Sequence, residues 1–208
     1  MIRQDRRVRT LATCLSALAG YVDALAFLHL GGFFVSFMSG NSTRLGVGLA
    51  EGSRHAAIAA ALIGIFVAGV VAGSLVGRMA KAHHAKGVML LVALLLTAAA
   101  VLNLVGVPKA AVVAMALAMG AENAIFARDG EVQIGLTYMT GTLVKLGQRI
   151  ADALNGGSPF AWLPYLLLWL GLVAGALAGA AIYPLLGLNG LWIAAACAFL
   201  CVPALSAR

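Results

Sequence analysis

Phe37-Met38-Ser39-Gly40-Asn41-Ser42-Thr43-Arg44-Leu45-Gly46 returns 101 residues later as Tyr138-Met139-Thr140-Gly141-Thr142-Leu143-Val144-Lys145-Leu146-Gly147, with four identities and three conservative pairs. A second landmark precedes each copy: Gly20-Tyr21-Val22-Asp23-Ala24 matches Gly120-Ala121-Glu122-Asn123-Ala124. A third follows. The ladder Gly69, Gly73, Gly77 matches Gly171, Gly175, Gly179 at an offset of 102, with six of nine residues identical across 69–77. Apolar composition makes any one match weak, but three in order at nearly constant offset mark an internal repeat. The chain reads as two halves of one membrane domain, residues 1–106 and 107–208.

The composition says what solvent the halves meet. Of 208 residues, 62% are hydrophobic and 10% charged, with a mean hydropathy of +1.00. Soluble domains are about a quarter charged, and a globule of this size exposes too much surface to hide so much apolar matter. A span needs about 20 apolar residues, so the length accommodates roughly six with short loops. The net charge of +7 does not point to nucleic acid. Its carriers Arg3, Arg6, Arg7, Arg9, Arg78, Lys81 and Lys86 gather at span ends, as the positive-inside rule produces. Cys14, Cys197 and Cys201 lie in apolar stretches without metal-ligand or disulfide spacing and read as small packing residues. The basic start and the apolar stretch from Leu11 to Gly20 mimic a signal peptide. The apolar stretch runs on to Leu30, however, and its polar centre recurs in the second half, so it reads as the first span.

Each half divides into an apolar helix (8–30, 109–128), a mixed Gly/Ser/Thr segment (31–52, 129–155) and two more apolar helices (55–78 and 87–106; 159–183 and 187–206). Breaks are expected at Gly31-Gly32, Gly52-Ser53, Gly106-Val107-Pro108, Gly156 to Pro159 and Gly187 to Gly190. Charge placement decides whether the mixed segments cross. If they do, the Arg78 to Lys86 loop lies opposite the Arg-rich N-terminus. If they enter and return on one side, that loop, Arg128 and Arg208 all lie inside, and only Arg54 and Lys109 are basic loop residues outside. The second arrangement obeys the rule. The expected fold is therefore an all-α integral membrane protein with six transmembrane helices, two re-entrant half-helix segments and an inverted-topology 3+3 repeat, the plan of many transporters. Both termini are expected in the cytoplasm. Non-helical backbone at membrane depth must be buried in protein or line a cavity, so the two segments are expected to face each other.

Candidate chemistry follows from that placement. Ser39 and Thr140 read as N-caps, with Gly40 and Gly141 allowing a sharp turn. Each half-helix would then point free N–H groups and its positive end at the midplane. Ser39, Gly40, Asn41 and Arg44 with Thr140, Gly141, Thr142 and Lys145 form the expected binding site for a small anionic or polar solute. The bland alternative pairs Arg44 and Lys145 with buried carboxylates. Asp23, Glu122 and Asn123 lie deep in the first helix of each half, where an ionisable group is a functional hypothesis by default. Burial and a nearby cation act oppositely on a carboxylate's proton, so Asp23 or Glu122 could couple a proton to solute movement; fixed Asp23–Arg44 or Glu122–Lys145 ion pairs are the plainer reading. The glycine ladders suit close helix packing between the halves, with a homo-oligomer interface as their other use. His29, His83 and His84 have no metal-site spacing. No phosphate loop, nucleophile triad or dinucleotide fingerprint is present, so the expectation is a non-enzyme without cofactor or metal. The expected function is a small-solute transporter or channel; a non-transporting membrane scaffold or assembly partner is the competing function, and an enzyme on a lipid or other membrane substrate, with Asp23 and Glu122 as its buried acids, the third.

Gly20-Tyr21-Val22-Asp23-Ala24 with Met38-Ser39-Gly40-Asn41 resembles the signature of the YoaK-like family of small bacterial membrane proteins, a domain of unknown function. The resemblance covers nearly the whole chain. It implies a bacterial inner-membrane location and no particular substrate.

Overall fold

The computed structural model describes residues 6–128, 131–132 and 134–205; Arg3 and Arg208, used above for sidedness, lie outside them. Eight α-helices account for most of the described residues: α1 (Arg6–His29), α2 (Met38–Ala50), α3 (Arg54–Met79), α4 (His84–Leu104), α5 (Pro108–Glu122), α6 (Met139–Leu154), α7 (Leu163–Leu186) and α8 (Leu191–Cys201). Short 3-10 turns at Lys81–His83 and Gly187–Gly190 precede α4 and α8. The breaks fall at the expected glycines. Gly31, Gly52, Gly106, Gly156 and Gly187 all hold positive φ, where a Cβ is disfavoured.

Among the described residues, four helical stretches are long and apolar enough to cross a membrane: Arg6–His29, Arg54–Met79, Lys81–Leu104 and the 39-residue Leu163–Cys201. The last holds α7 and α8, broken where Gly187 turns at φ +54 just after Pro184. Thirty-nine residues exceed the ~20 a single crossing needs. α5, expected to reach residue 128, stops at Glu122 after 15 residues. Two contacts divert it. The Asn123 amide folds back on the Met119 carbonyl at 2.9 Å and takes a hydrogen bond from Thr137 at 3.1 Å. The chain then turns into a two-residue antiparallel hairpin, β1 (Ala127–Arg128) with β2 (Glu131–Val132).

The helices pack by leaving out side chains. α1 runs parallel to α7: Gly171, Gly175 and Gly179 sit against the backbone of Thr13, Ala17 and Tyr21, and Gly20 fits between Leu172 and Ala176. α3 and α5 repeat the arrangement. Gly69 and Gly73 meet Leu117 and Ala121, and Gly120 fits between Phe66 and Val70. By contacts, then, Gly69 corresponds to Gly175 and Gly73 to Gly179. That is one helical turn beyond the sequence match. A ladder with a period of four residues aligns with itself in more than one register, and only the packing selects one. Gly77 instead makes room for the His84 ring.

The helix ends are tied as well. Asn103 at the end of α4 donates to Asn189, just past α7, at 2.9 Å. Tyr183 near the end of α7 lies 3.4 Å from His29 at the end of α1. Tyr21 Oη donates to the Gly190 carbonyl at 3.0 Å. Of the cysteines, Cys14 and Cys197 are exposed and only Cys201 is half-buried, so the first two are not packing residues within the chain.

Candidate functional site

The polar interior is organised along α1. Ser16 and Asp23 are seven residues apart, two helical turns, and so share one face about 10 Å apart along the axis. Asp23 holds the stretch before α2. Its Oδ1 accepts the backbone amides of Val35 at 2.7 Å and Ser36 at 2.9 Å, and its Oδ2 accepts the Ser36 hydroxyl at 2.9 Å. Ser16 touches the stretch before α6: its hydroxyl lies 3.1 Å from the carbonyls of both Leu136 and Leu168. Both loop segments therefore meet the same face of α1.

The second half copies the Asp23 arrangement in neutral form. Thr137 donates its hydroxyl to Asn123 Oδ1 at 3.1 Å, as Ser36 does to Asp23. In each half a hydroxyl residue two places before the helix is fastened to the polar residue of the preceding long helix. Ser39 and Thr140, expected as N-caps, are instead the second residues of α2 and α6 and are exposed. Phe37 and Tyr138 occupy the cap positions without a side-chain cap bond. Ser36 and Thr137 turn the chain earlier: their carbonyls accept the amides of Met38 at 3.1 Å and Met139 at 2.9 Å.

Asn41 is fully buried and clasps Phe34 from both sides, accepting its amide at 3.1 Å and donating to its carbonyl at 2.7 Å. Its counterpart Thr142 is also buried. Arg44 lies with its guanidinium 5.0 Å from the centre of the Phe33 ring, a cation–π distance. The ring of His55 is on the same phenylalanine at 5.7 Å. Arg44, Gly40, Thr43, Glu51 and His55 line an open cavity of about 470 Å³ between α2 and α3. Asp23 is occupied by Val35 and Ser36 rather than by Arg44. In the second half Thr140, Gly141 and Lys145 are exposed on α6, which packs on α7 as α2 packs on α3. Glu122 is fully buried, and neither of its oxygens has a hydrogen-bond partner; it does not meet Lys145.

Sequence reasoning missed Ser16, Ser36, Thr137 and the Phe33–His55 wall. For Ser36 and Thr137 the signal lay in the repeat, since they extend the matched window by one more Ser/Thr pair.

The profile described as "Protein of unknown function (DUF1275)" matches residues 11–204. The chain belongs to the DUF1275 family. Within the family's reach, it is 34% identical over 191 residues to "UPF0700 transmembrane protein RA0705" of Rhizobium meliloti (strain 1021), covering 91% of this chain and 82% of that one. The family profile's span of 11–204 takes in both loop segments and both Ser16 and Asp23 of α1. No solved structure matches.

Proposed function

We propose that this DUF1275 member is a multi-pass protein of the bacterial inner membrane with cytoplasmic termini, built from halves 1–106 and 107–208 of inverted topology. It passes a small anionic or polar solute between its two loop segments. The apolar helices and the relative's printed description as a transmembrane protein support the membrane setting. The tied helix ends support the topology. The ends of α1, α4 and α7 are joined through His29–Tyr183 and Asn103–Asn189. α3 and α4 form a tight antiparallel hairpin, so α3 begins at that same end. Residues 30–53 then leave and return on one side. Were α2 a crossing in an alternating bundle, the ends of α4 and α7 would lie on opposite faces, about 30 Å apart. α5 with its trailing turn, and α8 with the turns on either side of it, complete the six spans.

The observation that carries the solute reading is the α1 stripe. Asp23 and Ser16 bring both loop segments to one helix face within about 10 Å, and Arg44 adds a cation in an open cavity beside the first. Ser39, Gly40, Asn41 and Arg44, with Thr140, Gly141, Thr142 and Lys145, remain the proposed contact residues. Liposomes carrying the purified protein and offered chloride, nitrate, formate or phosphate test this. Flux of at least one anion, cut several-fold by Arg44→Ala and by Lys145→Ala, is expected. Flux unchanged in both variants rejects the site.

A scaffold without transport draws support from the local satisfaction of Asp23, Asn41 and Asn123, each engaged by its own loop. It predicts no flux of any anion.

A further inference from the structure

Among the described residues, the buried side-chain oxygens without a hydrogen-bond partner are Ser53 Oγ and both carboxyl oxygens of Glu122. Glu122 is 0% exposed. An ionised carboxylate in such surroundings is costly unless donors answer it. Asp23 has three donors from Val35 and Ser36; Glu122 has none. Nor does the architecture require an acid at this place. The equivalent position in the first half, one residue before Asp23, is Val22, which is equally buried. Asn123 already does the loop-holding work next door.

The surroundings say what the carboxyl can hold. Cys201 on α8 lies within electrostatic reach of Glu122, with Cys14 of α1 and Cys197 of α8 around that thiol. His84, at the start of α4, is at the following turn, its Nε2 2.8 Å from the Ala124 carbonyl. From α3 the facing residue is Gly73, against Ala121. None of these donates a hydrogen bond to the carboxyl. A metal cation would need several further oxygen ligands, whereas a proton needs only one carboxyl oxygen.

We propose that Glu122 is a reversible proton-binding site of the second half, where α5 gives way to the loop segment held by Asn123. Coupling of that proton to a solute rests on the transport reading above; the proton binding does not.

The test is the infrared spectrum of the full-length protein in lipid bilayers, recorded across a pH series. A carboxylic C=O band is expected at low pH and lost reversibly as pH rises. It shifts when the glutamates carry carbon-13, vanishes in Glu122→Gln, and moves in frequency in Glu122→Asp. Glu51 and Glu131 carry the same label, so the spectra are taken in a Glu51→Gln, Glu131→Gln background, where the isotope-shifted band reports Glu122 alone and poor folding of Glu122→Gln does not blur the result. A spectrum with no such band at any pH, a band indifferent to pH, or one retained in Glu122→Gln overturns the proposal. A titrating band without anion flux leaves this site standing and removes the transport reading; flux without a titrating band does the reverse.

Discussion

Ser36 gives Asp23 both its backbone amide and its hydroxyl, each at 2.9 Å. One residue thereby fixes where the chain turns into α2. A hydrogen bond to a charged group contributes roughly 1.5–3 kcal/mol, and a buried donor left without its acceptor costs a further ~1–3 kcal/mol. Asp23→Ala strands two backbone amides and a hydroxyl together. It is expected to lower the melting temperature in detergent by many degrees or to prevent folding. Asp23→Asn keeps one acceptor oxygen, as Asn123 does in the second half, and is expected to retain the fold at an intermediate melting temperature. Equal losses in the two variants would mean that charge, and not acceptor geometry, holds the loop. Ser36→Ala is expected to cost ~1 kcal/mol or more. Ser39→Ala, at an exposed position, stays within about 0.5 kcal/mol.

The glycine contacts separate positions that sequence alone treats alike. A Cβ at Gly20, Gly120 or Gly175 would press into the backbone carbonyl of Leu172, Phe66 or Ala17, whereas one at Gly46, Gly64 or Gly147 meets open space. Backbone cannot yield as a side-chain tip can, and overpacking costs typically ~1–3 kcal/mol. Gly20→Ala, Gly120→Ala and Gly175→Ala should therefore reduce the yield of monodisperse protein. Gly46→Ala and Gly147→Ala, inside helices, should leave it equal or slightly improved, since alanine is the better helix former by up to ~1 kcal/mol. Size-exclusion profiles and thermal melts of the two groups check this. A tolerated Gly20→Ala beside a damaging Gly46→Ala would contradict the packing.

What the sequence disclosed and what it hid have physical causes. The breaks after α1, α2, α4, α6 and α7 were legible because a glycine, each with positive φ, stands at every one of them; the α3–α4 break is marked instead by the basic run from Arg78 to Lys86, where Lys81 holds φ +47. The end of α5 was not legible. It is set by Asn123 reaching back to Met119 and across to Thr137, a tertiary choice that an apolar pattern continuing through Ala124-Ile125-Phe126 conceals. Ser39 and Thr140 looked like caps because both a cap and a loop anchor call for a hydroxyl near a glycine; the anchors are Ser36 and Thr137. The cation at Arg44 was visible, but its partner was not. A lone arginine in sequence suggests a carboxylate, and here its neighbour is the Phe33 ring, which the His55 ring also approaches. The glycine ladder stands out in the sequence, but its period of four residues permits two registers, and the contacts with α1 and α5 select the one a turn beyond the sequence match.

The central claim is that each half crosses three times, with its mixed segment leaving and returning on one side. Impermeant thiol labelling of intact cells tests it most directly, using single cysteines at Glu51, Ala82, Val105 and Asn155 in a chain whose Cys14, Cys197 and Cys201 have been replaced. The account predicts labelling from outside at Glu51→Cys and Val105→Cys, and labelling only after permeabilisation at Ala82→Cys and Asn155→Cys. Protection at Glu51→Cys and Val105→Cys together with outside labelling at Ala82→Cys would make α2 a crossing helix and contradict the account.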